Sequence, residues 1–305
     1  MHYYQNHSPV IGLYKPCSNY SFGEVIIWLE EFSQVCYKHN IVHGDVLIIS
    51  DEDRPDKKIK IMKTIELINA FKIVRNVIQV RNLKEAKNLF NFSKSSLIWP
   101  KLENVDNYNC DTTLRIRNRW ENKIPIVPLK LRSNITDWAL KTLKNSGPPP
   151  WISVHLKNSP SSHCESNAKV SSWLSLFKYL GHDQCTFFLV GDDETSNEIK
   201  RLPNVRKASE FKGKTLAGYL ALVQNSHAFM GMMSGICNIA LFGKKPYSIF
   251  KNPHHHKLAM FQEIGDSDFY SFSNKGQKVI RKTETFELLC REFYRLNSEI
   301  EMAFN

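Results

Sequence analysis

The chain has 305 residues, 42% of them hydrophobic and 23% charged, a balance that suits one large or two ordinary domains and excludes a disordered polymer. No apolar run reaches the ~18 residues of a membrane-spanning helix, and the start, Met1-His2-Tyr3-Tyr4-Gln5-Asn6, lacks the basic and apolar regions of a secretory signal. The formal net charge is +11, with 22 Lys/Arg against 15 Asp/Glu in residues 1–150 and 19 against 15 beyond, so phosphate-bearing partners are expected.

In chain order, Val10–Leu13 predicts a strand and Gly23–Tyr37 a helix. Asp45–Ser50 (DVLIIS) predicts a buried strand, 59–73 a helix, 77–80 a strand, 83–90 a helix and 96–99 a strand. This βαβα rhythm implies a parallel sheet covered by helices. Arg115, Arg117 and Arg119 alternate before Trp120, and a strand there would present all three on one face. That face is either a solvated strand edge or a patch for an anionic acceptor or membrane surface. No helix-turn-helix, zinc finger or aromatic-basic RNA motif supports nucleic acid as a partner. Ile124–Leu131 holds two prolines and predicts an edge strand or connector.

Ser133–Leu143 predicts a helix. Asn145-Ser146-Gly147-Pro148-Pro149-Pro150 then breaks any regular element and is the best domain boundary in the sequence. The rhythm restarts at Trp151–Leu156, a strand, with a helix at 168–180, a strand at 185–190 and a helix at 215–223. Ala228–Met232 is a strand, Gly235–Phe242 a helix, Pro246–Phe250 a strand and Glu284–Ala303 a terminal amphipathic helix. The expected organisation is an acceptor-side α/β domain over 1–147, a nucleotide-binding α/β domain over 151–282, and a terminal helix over 283–305. Seven cysteines (17, 36, 110, 164, 185, 237 and 290) are odd in number and never spaced as CxxC, so they predict free thiols in a reducing compartment rather than a disulfide frame or zinc site.

Four clusters carry candidate chemistry. The first runs through Gly231-Met232-Met233-Ser234-Gly235-Ile236-Cys237-Asn238 to Gly243-Lys244-Lys245-Pro246. A strand enters a Ser-Gly turn, Gly235 permits close backbone approach, and the first amides of the following helix join the Ser234 hydroxyl as an anion site. The alternative is a capped helix without a ligand. The second is His155-Leu156-Lys157-Asn158, at the carboxyl end of a strand, where ligands of parallel sheets sit. Lysine neutralises phosphate and histidine donates to it, although a lone histidine in a strand is commonly structural. The third is Gly191-Asp192-Asp193, whose carboxylates either accept from sugar hydroxyls or cap the next helix. The fourth is Gly23-Glu24, at the first helix. Glu24 either complements the helix dipole or serves as a general base, with Asp106, Asp111 and Asp137 as rival bases. His254-His255-His256 point in different directions on any regular element and predict a surface loop rather than a metal site.

Residues 221–246 resemble the donor-binding segment of GT-B glycosyltransferases, most of all the heptosyltransferase-type family. There a strand, a G-x-x-S-G turn, a small residue and a GKP turn cradle the donor diphosphate; the matching residues are Gly231, Ser234, Gly235, Ala240, Gly243, Lys245 and Pro246. The chain has Ile236, Cys237 and Asn238 where that family usually has a proline or threonine and a histidine. The 155–158 segment is similar in position to a His-x-Arg-Arg segment of fucosyltransferase-like members, with Lys157 and Asn158 in place of the arginines. Glu24 stands where heptosyltransferase-like enzymes have a carboxylate proposed as general base.

The resemblance implies two Rossmann-like domains with parallel sheets facing a cleft, and a terminal helix packing back across them. It implies an inverting, metal-independent transferase, with no cofactor beyond the nucleotide-sugar co-substrate and a glycan or lipid-linked acceptor of the polysaccharide or lipopolysaccharide kind. Glu24 is the expected catalytic residue, and His155, Lys157, Asn158, Gly191, Asp192, Met233, Ser234, Gly235 and Asn238 the expected donor-binding residues. The expected location is cytoplasmic, with peripheral contact to an anionic membrane. The alternatives are a nucleotide-sugar epimerase or polysaccharide pyruvyl transferase on the same fold, and a non-catalytic basic binding protein.

Overall fold

The computed structural model describes residues 10–16, 21–50, 55–90, 97–108, 112–158 and 164–304. The first sheet begins with β1 (Val10–Tyr14), followed by α1 (Phe22–Lys38), β2 (Gly44–Ile49), α2 (Pro55–Asn69), β3 (Val74–Val80), α3 (Leu83–Phe90), β4 (Leu97–Trp99) and α4 (Leu114–Glu121). The strands pair in parallel in the order β3-β2-β1-β4. All of β1 and β2 is buried, as expected of parallel strands covered on both faces. Helix α1 starts from a capping box: Ser21 Oγ accepts from the Glu24 amide, and the Glu24 carboxylate accepts from the Ser21 amide at 2.8 Å. Its core face carries Trp28 and Phe32, stacked at 5.2 Å between centroids. Burial of each such side chain contributes on the order of 2–3 kcal/mol.

Residues 115–119 form part of α4, not a strand. One helical turn brings Arg115 and Arg119 to the same face, and both reach the fully buried Glu31 on α1, at 2.9 Å and 3.1 Å. Arg117 instead pairs with Glu121. Two of the three arginines are therefore held by an internal carboxylate. Ile124–Leu131 is a connector, with one isolated bridge from Leu131 to Phe71.

The second sheet is built from β5 (Trp151–His155), β6 (Thr186–Leu189), β7 (Val205–Lys207), β8 (Ala228–Met232), β9 (Tyr247–Phe250) and β10 (Gln277–Ile280). All pairings are parallel, in the order β10-β9-β8-β5-β6-β7. Around it lie α5 (Ser133–Ser146), α6 (Val170–Tyr179), α7 (Asn197–Lys200), α8 (Leu216–Asn225), α9 (Cys237–Leu241), α10 (Lys257–Ile264) and α11 (Phe286–Phe304). The core joins Trp173 and Phe177 of α6 to Phe187, Phe250 and Phe293 of β6, β9 and α11. Strands β7 and β10 and helix α10 were not legible in the sequence, since VRK and QKVI are short and half charged or polar.

The chain divides into a unit over residues 1–132 and a unit over residues 133–305. Helix α5 thus belongs with the second sheet, ahead of the Gly-Pro segment drawn as the boundary from sequence. It packs on α8, and the Trp138 indole N–H donates to the Lys212 carbonyl at 3.0 Å. The Pro148 carbonyl accepts from Thr186 Oγ1 at 2.8 Å, which ties the proline segment to the same sheet. Helix α11 packs on α6, β8 and β9.

Candidate functional site

In the second sheet the chain passes from β5 outward to β6 and β7, then returns to β8 on the other side of β5. Connections leave in opposite directions at this switch point, opening a crevice beyond the carboxyl ends of the strands. His155 ends β5, and the Ser234 turn follows β8 directly beside it. The two strands register His155 against Gly231. A Cβ on Gly231 would lie 2.6 Å from the His155 carbonyl oxygen, so glycine is what allows this approach. Gly191 is at φ +109, with its Cα against the His155 ring; a Cβ there would stand 3.0 Å from the ring. Its visible role is to seat the imidazole.

The His155 side chain is 4% exposed and bonded at both nitrogens. Nε2 lies 3.1 Å from Asp193 Oδ2 and Nδ1 lies 3.0 Å from Ser234 Oγ. Asp193 also accepts the Asn158 amide at 3.1 Å. The imidazole bond, the Asn158 amide and the charges of His155 and Lys157 hold the Asp193 carboxyl below its ordinary value, against the opposing effect of burial. An ionised Asp193 accepts Nε2–H, and Nδ1 shares a hydrogen bond with the Ser234 hydroxyl, accepting its proton when the imidazole is neutral and donating to Oγ when it is protonated. The order Ser234–His155–Asp193 thus fixes a serine hydroxyl at the rim.

Lys157 follows two residues later, its ammonium donating to Ser166 Oγ. Burial lowers its pKa, and the nearby charges of Asp193 and Glu165 oppose that shift. The Asn158 side chain donates to the Glu194 carbonyl and so braces the 193–194 turn. Asp192 points elsewhere, accepting from the Tyr219 hydroxyl of α8 at 2.7 Å. Burial, then the Asp192 bond, raises the Tyr219 phenol. The Met233 amide donates to the Phe250 carbonyl and extends the β8–β9 ladder.

The Ser-Gly turn differs from expectation in one respect. The helix expected at 235–242 is the single turn α9, entered through Ile236 without a side-chain cap. So short a helix contributes little dipole, which leaves the Ser234 hydroxyl and the Lys157 ammonium as the groups of this rim able to meet an anion. The Cys237 thiol sits under the turn, accepting the Ser234 amide at 3.4 Å and facing Asn238 Oδ1 at 3.8 Å. Burial pushes the Cys237 thiol up to about 11. Cys36, Cys185, Cys237 and Cys290 are free thiols, whereas Cys17 and Cys110 lie outside the described residues.

Glu24 occupies the amino end of α1, where the chain leaves β1, with its carboxylate in the capping box. Among the rival bases, Asp106 is paired with Lys15 at 2.6 Å, Asp137 is exposed on α5, and Asp111 lies outside the described residues, as do Ser18, Asn19 and Tyr20. The histidine loop divides: His254 and His256 are exposed, while His255 is buried with Nδ1 2.9 Å from Lys251 Nζ. Among the described residues no group of three His, Cys, Asp or Glu could hold a metal ion, and no helix is long and apolar enough to cross a membrane.

Sequence reasoning passed over Lys251 and the bracing role of Asp193. The first follows an apolar strand without a motif. The second is one of two adjacent aspartates, and only the turn geometry shows which of them meets His155.

No protein-family model matches the chain, and no curated protein matches it. Solved structures do. A glycosyl transferase of family 9 from Veillonella parvula is similar with a TM-score of 0.63 at 9% identity, over 96% of this chain and 98% of that one. E. coli ADP-heptose lps heptosyltransferase II is similar with a TM-score of 0.60 at 12% identity, over 96% and 99%. E. coli heptosyltransferase WaaC with ADP gives 0.56 at 12% identity, over 94% and 100%. The fold is therefore the two-unit, Rossmann-like α/β arrangement of GT-B glycosyltransferases such as these.

Proposed function

We propose that the chain is an inverting, metal-independent glycosyltransferase that moves a sugar from a nucleotide-sugar donor to a glycan or lipid-linked acceptor. The observation that carries this reading is the rim at the β5–β8 switch point, where Asp193 and His155 fix the Ser234 hydroxyl and Lys157 follows on the same strand end. A rim of this kind suits a nucleoside diphosphate: the lysine offsets charge that grows on the departing diphosphate, and the hydroxyl, already oriented, supplies a hydrogen bond without reorganisation. The folds of an ADP-bound heptosyltransferase and of an ADP-heptose transferase favour a nucleoside-diphosphate sugar as donor. The broad excess of cations suits an anionic acceptor or the surface of an anionic membrane. Glu24 is the proposed acceptor of the hydroxyl proton; it must then exchange its Ser21 bond for one to the acceptor.

A second reading, a binding protein without transferase activity, is favoured by that same engagement of Glu24 in the capping box. The two are separated by titrating the protein with nucleoside diphosphates and then following diphosphate release from GDP-, UDP-, ADP- and dTDP-linked sugars with candidate acceptors. The transferase reading expects binding that Ser234→Trp abolishes, and turnover. Binding without turnover for any pair selects the second reading; no binding at all removes both.

A further inference from the structure

A cavity of about 410 Å³ opens at the carboxyl ends of β9 and β10, on the outer side of β8 from the His155 rim. Six lysines and arginines and three carboxylates line it, an excess of three cations. None of the four lysines has a carboxylate within ion-pair distance among the described residues. Lys251, next after β9, is only 7% exposed, and its ammonium has one observed bond, to His255 Nδ1. Lys278 lies on β10, and Lys282 follows its end. A buried ammonium without a counter-ion is costly unless an anion completes it. Burial, with the like charge of Lys157, lowers the Lys251 pKa against the opposing charges of Glu263 and Glu165. Arg281 is fixed differently, by the carbonyls of Gly265 and Ser267 at 2.8 and 3.1 Å, and it shapes the wall.

We propose that this cavity binds a phosphomonoester of a sugar, with its phosphate on Lys251, Lys278 and Lys282. The volume far exceeds that of orthophosphate and falls in the range of small-molecule sites. Asp266 and Asp268, in the same lining, are acceptors suited to sugar hydroxyls. The lining contains no Phe, Tyr or Trp on which a nucleobase would stack. The cavity adjoins the diphosphate rim at Lys251, which feels the charge of Lys157, and Asn252 donates to the Glu165 carbonyl; its lysines and carboxylates are nonetheless other residues than those of the rim, and the proposal does not depend on the assignment of that rim.

The test is calorimetric titration of the full chain with glucose 6-phosphate, with orthophosphate and with glucose. The expected order is glucose 6-phosphate tightest, orthophosphate weaker and glucose unbound. Lys278→Gln with Lys282→Gln, at the sheet edge, should weaken glucose 6-phosphate about tenfold or more with an unchanged melting temperature, and Lys251→Met should do at least as much. Glucose 6-phosphate should still bind when a nucleoside diphosphate is present at saturation. The proposal is overturned by no binding of glucose 6-phosphate, by equal affinity for orthophosphate, by wild-type affinity in the Lys278/Lys282 double variant, or by competition with the nucleoside diphosphate. If no nucleoside diphosphate binds, the transferase reading fails while the glucose 6-phosphate titrations still decide this one.

Discussion

Gly231→Ala tests the site through its backbone rather than its polar groups. The added methyl would lie 2.6 Å from the His155 carbonyl oxygen and 2.7 Å from its amide nitrogen, where ordinary contact begins at 3.4 Å. The neighbour is backbone of a central strand, so it cannot swing aside as a flexible side chain would. Strands β5 and β8 must part by about 0.7–0.8 Å at their carboxyl ends, or the 231–234 segment must rotate. Overpacking of this kind costs typically about 1–3 kcal/mol, and the central position argues for the upper half of that range. In a unit of this size each kcal/mol lowers the melting temperature by roughly 2–4 °C, so a drop of about 4–12 °C is expected. Ser234 lies three residues further along and would leave its 3.0 Å bond to His155, so nucleoside diphosphate affinity should fall as well. Thermal melts followed by titration measure both quantities. A melting temperature within about 1 °C of wild type, with unchanged affinity, would show that the close approach does not constrain the site.

Glu24→Gln should keep the melting temperature, because glutamine also closes a capping box, yet reduce sugar transfer about 100-fold or more if Glu24 is the base; wild-type turnover would exclude that role. Glu31→Gln removes the carboxylate shared by Arg115, Arg119 and Tyr108. Stranding two half-buried guanidiniums should cost about 3 kcal/mol in a denaturant melt, the low end for a broken buried pair, and a loss below about 1 kcal/mol would show that solvent already screens them. Asp193 has a folded-state pKa below its ordinary 3.8, so its contribution to stability is present above that pH and fades as pH falls through and below it. Asp193→Asn should flatten the acid limb of the melting curve under pH 4 and leave its shape near neutrality unchanged; an unaltered acid limb refutes the assignment. Glu30 is the opposite case: burial raises its carboxyl well above 4.5, so the folded state favours the neutral acid and loses stability as pH rises. Glu30→Gln keeps an acceptor for the Val127 amide and cannot ionise, so its stability relative to wild type should increase from pH 4 to pH 8, and a pH-independent difference would contradict this.

The parallel sheets were legible because their strands are buried on both faces and therefore read as unbroken apolar runs, DVLIIS and FFLV among them. The alternation Arg115, Arg117, Arg119 misled because a period of two can also be sampled by a helix. What decides the matter is Glu31, 84 residues away from Arg115, whose buried charge needs two cations one helical turn apart. No local rule contains that demand. The α5 boundary failed for a similar reason: Gly147 and the prolines do break the chain, but a break is not a domain limit when the helix before it is pinned by Trp138 and the prolines themselves by Thr186.

The candidate site divides along the same line. Ser234, His155 and Lys157 were legible because strand ends in parallel sheets are where ligands gather, a property of topology that short motifs report. Their mutual order was not. Asp192 and Asp193 are equivalent as letters, yet only Asp193 meets the imidazole, while Asp192 faces Tyr219. The same holds for Gly191, an expected donor contact whose role in making room for the His155 ring only the structure shows. Both outcomes follow from one constraint: a histidine buried to 4% exposure must have both nitrogens satisfied. Once the close pairing at Gly231 places His155 beside Ser234, the opposite nitrogen needs a polar partner, and the turn after β6 delivers the Asp193 carboxylate. The rim is thus specified from the buried histidine outward, and Ser234 acquires its fixed orientation as a consequence.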